Sequence, residues 1–146
     1  MLSDALKQFL ASTFAYYLKA HYFHWNVESP DFYQLHKFFQ KIYEDAYSAV
    51  DITAEYIRTT DEYAPGSFER FQELSLVPGQ TKVPRARLMI EELLADTQTM
   101  LDLCKNLYDE AAKEGREDVA NFAAERQSKH GIYYWQLKSS LKDQRA

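Results

Sequence analysis

The chain has 146 residues, 46% hydrophobic and 27% charged, which suits one domain with a sizeable core and an ordinary soluble composition. Its net charge of −5 argues against general attraction to nucleic acid or to an anionic membrane. The single cysteine, Cys104, excludes an intrachain disulfide and fits a reducing, cytoplasmic setting. The opening MLSDALKQFLAS lacks a signal-peptide pattern, and QFLASTFAYYL is too short to span a bilayer.

Prolines 30, 65, 78 and 84 and glycines 66, 79, 115 and 131 punctuate the chain. They leave four long segments, 2–28, 31–63, 85–114 and 116–144, each with apolar residues three and four apart, the spacing of an amphipathic helix. In the first, Leu6, Leu10, Thr13, Tyr17 and His24 share a face. Ser29-Pro30-Asp31 then predicts an N-cap with proline at the first helical position of the second helix. About twenty residues separate the second and third helices, and Phe68, Phe71 and Leu74 within them predict a short extra helix. The third helix presents Leu93, Thr97, Met100, Cys104, Leu107 and Ala111. The fourth presents Val119, Ala123, Arg126, His130, Tyr133, Leu137 and Leu141, and opens with Glu117 and Asp118, where the helix dipole favours negative charge. The expected fold is all-α: a single ferritin-like four-helix bundle over residues 1–146, with a short extra helix in the long crossover between helices two and three.

Three of the four histidines crowd into HYFHWNVESPDFYQLH, residues 21–36. His24 lies six residues before Pro30 and His36 six after it, so antiparallel helices folded at that corner bring the two level. That is the geometry of a metal-binding pair, and equally of two satisfied histidines near helix ends, where the dipole already stabilises His24. On the second helix His36, Gln40, Tyr47, Asp51 and Glu55 fall within an arc of roughly 100°. Asp51 and Glu55, spaced i, i+4, can reach one ion, and oxygen ligands with imidazole suit iron or another divalent first-row metal. Yet His36 and Asp51 are separated by roughly 22 Å along the axis, too far to share an ion within one chain. A two-fold axis removes the difficulty. If the second helix pairs antiparallel with its own copy near Glu44, His36 of one chain faces Asp51 and Glu55 of the other. An intrabundle di-iron centre would use Glu-x-x-His motifs, and the chain has none: Leu18, His21, Tyr33 and Gln127 stand three residues before the four histidines.

HWNV at 24–27, FYQLH at 32–36, D-x-x-x-E at 51–55 and a late Trp in the last helix resemble the Dps family, the mini-ferritins known as DNA-binding proteins from starved cells. The resemblance covers most of the chain and is strongest over residues 15–60. It implies a hollow homo-oligomer, a dodecamer, with ferroxidase sites at two-fold interfaces. These would oxidise Fe(II), preferably with hydrogen peroxide and otherwise dioxygen, and store Fe(III) as mineral, protecting against oxidative stress. It implies His24 and His36 as ligands from one subunit, Asp51 and Glu55 from its partner, and Trp25 as an electron-donating aromatic beside the site. The chain departs from the family at Gln40, where an aspartate is usual; a neutral amide oxygen is the weaker ligand and predicts a weak second metal position. Around the start of the last helix, Glu117, Asp118 and Asn121 match the residues that line iron-admitting pores in the family.

The sequence starts almost directly with its first helix rather than a lysine-rich tail, and LKDQRA sets Lys142 and Arg145 against Asp143. Weak or absent DNA binding is therefore expected. Two other functions stay open: a DNA-compacting structural cage, and a metal-binding cage, for zinc among others, whose ferroxidase activity Gln40 weakens or abolishes. His21, about 60° around the helix from His24, reads as a neighbour of the site rather than a ligand. His130 and Cys104 read as core, and the acidic group at 109–118 as surface charge at helix ends.

Overall fold

The computed structural model describes residues 1–142, so Asp143 and Arg145 of the expected basic end lie outside the described residues. Five helices follow in chain order: α1 Leu2–Asn26, α2 Phe32–Arg58, α3 Phe68–Leu74, α4 Ala86–Lys113 and α5 Glu117–Ser140. There is no strand among the described residues. The long α2–α4 crossover carries α3, as Phe68, Phe71 and Leu74 predict. Ser67 caps this short helix, its side chain accepting from the Arg70 amide. No helix among the described residues is long and apolar enough to cross a membrane.

The apolar stripes close on one another. Leu93, Thr97, Met100, Cys104, Leu107 and Ala111 of α4 are all buried. So are Val119, Ala123, Arg126, His130, Tyr133 and Leu137 of α5, with Leu141 partly covered. α1 packs on α2 and α4, and α4 packs on α5. α2 reaches α5 through the tilted Tyr56–Phe122 ring pair, and Phe9 of α1 meets the same Phe122 edge-on.

The start of α2 differs from expectation. Asp31, not Ser29, occupies the cap position, with φ −96° and ψ 28°, and Pro30 stays outside the helix. Ser29 builds a turn instead: its hydroxyl accepts from the Asp31 amide at 3.0 Å and its carbonyl accepts from the Phe32 amide at 3.0 Å. Serine's short side chain satisfies the backbone locally and delays the helix by two residues.

Two ion pairs tie the helices internally. Lys19 of α1 meets Asp96 of α4 at 2.8 Å, both buried. Arg126 of α5 grips Asp45 of α2 with both terminal nitrogens, at 3.1 and 2.8 Å. Tyr16 and Thr97 share a buried hydroxyl bond of 2.6 Å. Helical spacing announces none of these, because it assigns each residue a face but not the opposing partner.

Gly115 ends α4 with φ +69°, and open space surrounds the position where a Cβ would stand. A side chain there meets no clash but carries the left-handed backbone penalty of about 1 kcal/mol. Gly115→Ala should therefore lower Tm by about 2–4 °C in a thermal scan.

Candidate metal centre

His24 sits in the last turn of α1 and His36 in the second turn of α2, on either side of the Ser29 corner. Their rings stack with centroids 3.7 Å apart and planes 15° from parallel. Each ring is held by the other residue's backbone: His24 Nδ1 lies 2.7 Å from the His36 carbonyl, and His36 Nδ1 lies 2.7 Å from the His24 carbonyl. A carbonyl oxygen only accepts, so both Nδ1 atoms carry the proton and donate. In the neutral ring this leaves a lone pair on each Nε2, the form in which imidazole ligates a metal. Phe32 stacks on His36 at 5.0 Å and supports the pair from outside.

Gln40 follows one turn after His36 and is half-buried. Its amide nitrogen donates to Glu44 Oε1 at 2.8 Å. The carboxylate only accepts, so the amide must turn its nitrogen to Glu44, which leaves its oxygen uncommitted there. Asp51 and Glu55 lie further along α2, both exposed. Among the described residues of one chain, no three His, Cys, Asp or Glu side chains gather closely enough to hold a metal ion. The chain thus brings His24 and His36 together and keeps Asp51 and Glu55 apart from them.

Trp25 is 58% exposed and contacts His21, ring centroids 4.2 Å apart, rather than His24. His21 stacks on Tyr43 at 3.8 Å and lies 3.0 Å from the Tyr17 hydroxyl through its Nδ1. Desolvation, then the neighbouring His24, holds the His21 pKa below its ordinary value, against an opposing pull from Glu44. The sequence places His21 beside the pair but does not show that Tyr17 and Tyr43 touch it. The signal was the i, i+4, i+8 run of Tyr17, His21 and Trp25 along one stripe of α1.

At the α4–α5 turn, Glu117 and Asn121 line one depression together with Tyr108 and Arg116. Asp118 does not line it. Its two oxygens each take a 3.0 Å bond from Arg116, which holds its carboxyl below the usual range. Much of the acidic group at 109–118 is similarly engaged: Asp109 with Lys105, Glu110 with Lys113, and Glu114 with the Leu2 amide at 2.9 Å. His130 and Cys104 are buried as expected, and burial pushes the Cys104 thiol up to about 12, so it carries no reactive thiolate.

The ferritin-like domain family matches residues 3–145. The chain is 30% identical over 146 residues to an uncharacterized low temperature-induced protein of Nostoc sp., covering 97% of this chain and 80% of that one. It is 28% identical to the DNA protection during starvation protein of Helicobacter pylori, covering 94% of this chain and 96% of the relative. Among solved structures it superposes on Dps from Staphylococcus aureus with a TM-score of 0.93 at 29% identity, covering 98% of this chain and 96% of that chain.

Proposed function

The chain belongs to the ferritin-like family and to its Dps branch, and from that premise we propose that it oxidises Fe(II) at intersubunit sites and stores the Fe(III) product inside a hollow homo-oligomeric cage. The observation that carries this reading is the reciprocal anchoring of His24 and His36. Two imidazoles pinned by backbone carbonyls, each with Nε2 free, form half of a metal site, and α2 carries two exposed carboxylates on the stripe that leads from His36. Antiparallel pairing of α2 with its copy completes the set with Asp51 and Glu55 of the partner. Glu55 is the tightly held group.

Fe(II) is the substrate, and hydrogen peroxide, in preference to dioxygen, is the oxidant. His24 and His36 hold the metal through nitrogen, and Asp51 and Glu55 balance its charge through oxygen. Trp25 stands beside the site as an aromatic that gives up an electron and limits radical escape. Consuming peroxide and iron together gives protection against oxidative stress. Glu117 and Asn121, with Asp118 tied to Arg116, border the entry for iron. The cage is a cytoplasmic dodecamer with little DNA affinity, consistent with the charge of −5. Zinc, which favours the same imidazole and carboxylate donors, competes with iron there.

Gln40 sets the second metal position. Its amide, already donating to Glu44, offers one neutral oxygen where a carboxylate would bring charge. Stopped-flow oxidation of Fe(II) by peroxide on metal-free protein is the test. Gln40→Asp should tighten the second position and raise the rate on the order of tenfold. Wild-type and Gln40→Asp rates both equal to buffer would reject the ferroxidase reading.

A further inference from the structure

Beside the paired histidines stands a wall of aromatic rings that the ligand set does not use. Tyr17, His21 and Trp25 climb α1 one turn apart, and Tyr43 and Tyr47 of α2 lie against them. Trp25 is 4.2 Å from His21, His21 is 3.8 Å from Tyr43, and Tyr43 is 5.1 Å from His24. Tyr17 lies 6.2 Å from Tyr43 and 4.9 Å from Tyr47. Each step is close enough for an electron to hop between rings. Of the three wall tyrosines, Tyr17 is the one whose hydroxyl meets a nitrogen base among the described residues, His21 Nδ1 at 3.0 Å.

We infer that Tyr17 and His21 form a proton-coupled redox pair that supplies the second electron when peroxide is reduced beside a single iron. The inference rests on the ferroxidase reading and follows from Gln40. A weak second position leaves one Fe(II) to meet a two-electron oxidant. Phenol oxidation at neutral pH requires the proton to leave with the electron, and an imidazole accepting at Nδ1 is placed to take it. One Fe(II) and the Tyr17 phenol each give one electron to hydrogen peroxide, whose O–O bond breaks. Two protons from solvent complete two waters, and the Tyr17 proton rests on His21. The products are Fe(III), the Tyr17 phenoxyl radical and protonated His21. A second Fe(II) then reduces the radical, the proton returns from His21 to Tyr17, and the total is two Fe(II) per peroxide. Trp25 and Tyr43 are the stepping rings that carry the hole from the site to Tyr17.

The test uses the full-length protein in two arms. In the first, metal-free Trp135→Phe protein, with Trp25 as its remaining tryptophan, is flash-oxidised by ruthenium tris-bipyridine with persulfate. Decay of the Trp25 radical should match the rise of a tyrosyl radical. Tyr17→Phe should slow that decay about tenfold, and so should His21→Gln, which accepts a hydrogen bond but not the proton. Tyr47→Phe should leave it unchanged. Decay at the wild-type rate in Tyr17→Phe overturns the pair. In the second arm, Fe(II) and hydrogen peroxide are mixed without oxygen and freeze-quenched for electron paramagnetic resonance. A tyrosyl signal lost in Tyr17→Phe supports the donation, and iron oxidation with no tyrosyl signal overturns it. Iron oxidation no faster than buffer would instead defeat the ferroxidase reading, and the photochemical arm still decides whether Tyr17 and His21 take up the hole.

Discussion

Subunits carrying His36→Ala, co-assembled with subunits carrying Glu55→Ala, should oxidise iron although neither variant does so alone. Each variant by itself should lose on the order of 100-fold in rate, since each removes a ligand from every site. In a mixed dimer the two intersubunit sites become unequal. One unites the altered His36 of the first chain with the altered Glu55 of the second. The other unites the intact His36 of the second with the intact Glu55 of the first. Random pairing makes half the dimers mixed, so about a quarter of the wild-type sites return in an isologous assembly. A site built within one chain gives no recovery at all, because every chain then carries a lesion. The measurement is the stopped-flow peroxide reaction on co-expressed protein, beside each variant alone.

Both substitutions suit the purpose because they spare the fold. Glu55 is exposed, where truncation changes stability by about 0.5 kcal/mol or less. His36→Ala keeps the backbone carbonyl that anchors the His24 ring, since that acceptor belongs to the main chain. The bond from His36 Nδ1 to the His24 carbonyl disappears, at about 1 kcal/mol, together with the ring stacking on His24 and Phe32.

The parts of this architecture that depend on spacing along one helix were legible in the sequence. The buried face of α4 is the same set, from Leu93 to Ala111, that steps of three and four select. The levelling of His24 and His36 followed from counting six residues to either side of Pro30. What spacing could not supply is partnership between helices. Lys19 and Asp96 each look like surface residues of their own helices, and only the α1–α4 contact turns them into a buried pair. Arg126 and His130 announced themselves on an apolar stripe, but Asp45 gave no sign that it would be opposite. The anchoring of the histidines by carbonyls was hidden for a related reason. Backbone acceptors are present at every position, so nothing in the side-chain pattern marks the two in use. The α2 cap was misplaced because a serine that can cap a helix can equally close a turn before it.

Acid should unfold this protein in a window set largely by His130. The ring is fully buried between Tyr16 and Tyr133, at centroid distances of 5.3 and 6.3 Å. Its Nε2 faces an Arg126 terminal nitrogen at 3.5 Å, and arginine only donates, so Nε2 accepts and the proton of the neutral ring sits on Nδ1. Desolvation first, and the Arg126 charge second, lower its pKa from 6.5 to about 3, with Asp45 opposing. The unfolded chain therefore binds one more proton than the native state between those values. Stability is full above about pH 6.5 and falls by about 1.4 kcal/mol per pH unit on the way down, roughly 5 kcal/mol in all. Asp45 adds a later loss. Burial alone would raise its carboxyl, but the Arg126 hydrogen bonds and charge outweigh that and leave it below 3.8. Its contribution is present above that value and disappears as pH drops further. Urea unfolding at fixed protein concentration from pH 7.5 to 3.5 should show this slope in the wild type. His130→Leu keeps the Arg126–Asp45 bridge and removes the titrating ring, so its curve should flatten between pH 6.5 and 4. Parallel curves for the two proteins would locate the acid sensitivity elsewhere. Arg126→Met strips Asp45 of its counter-ion and should instead lower stability at neutral pH by about 3–5 kcal/mol.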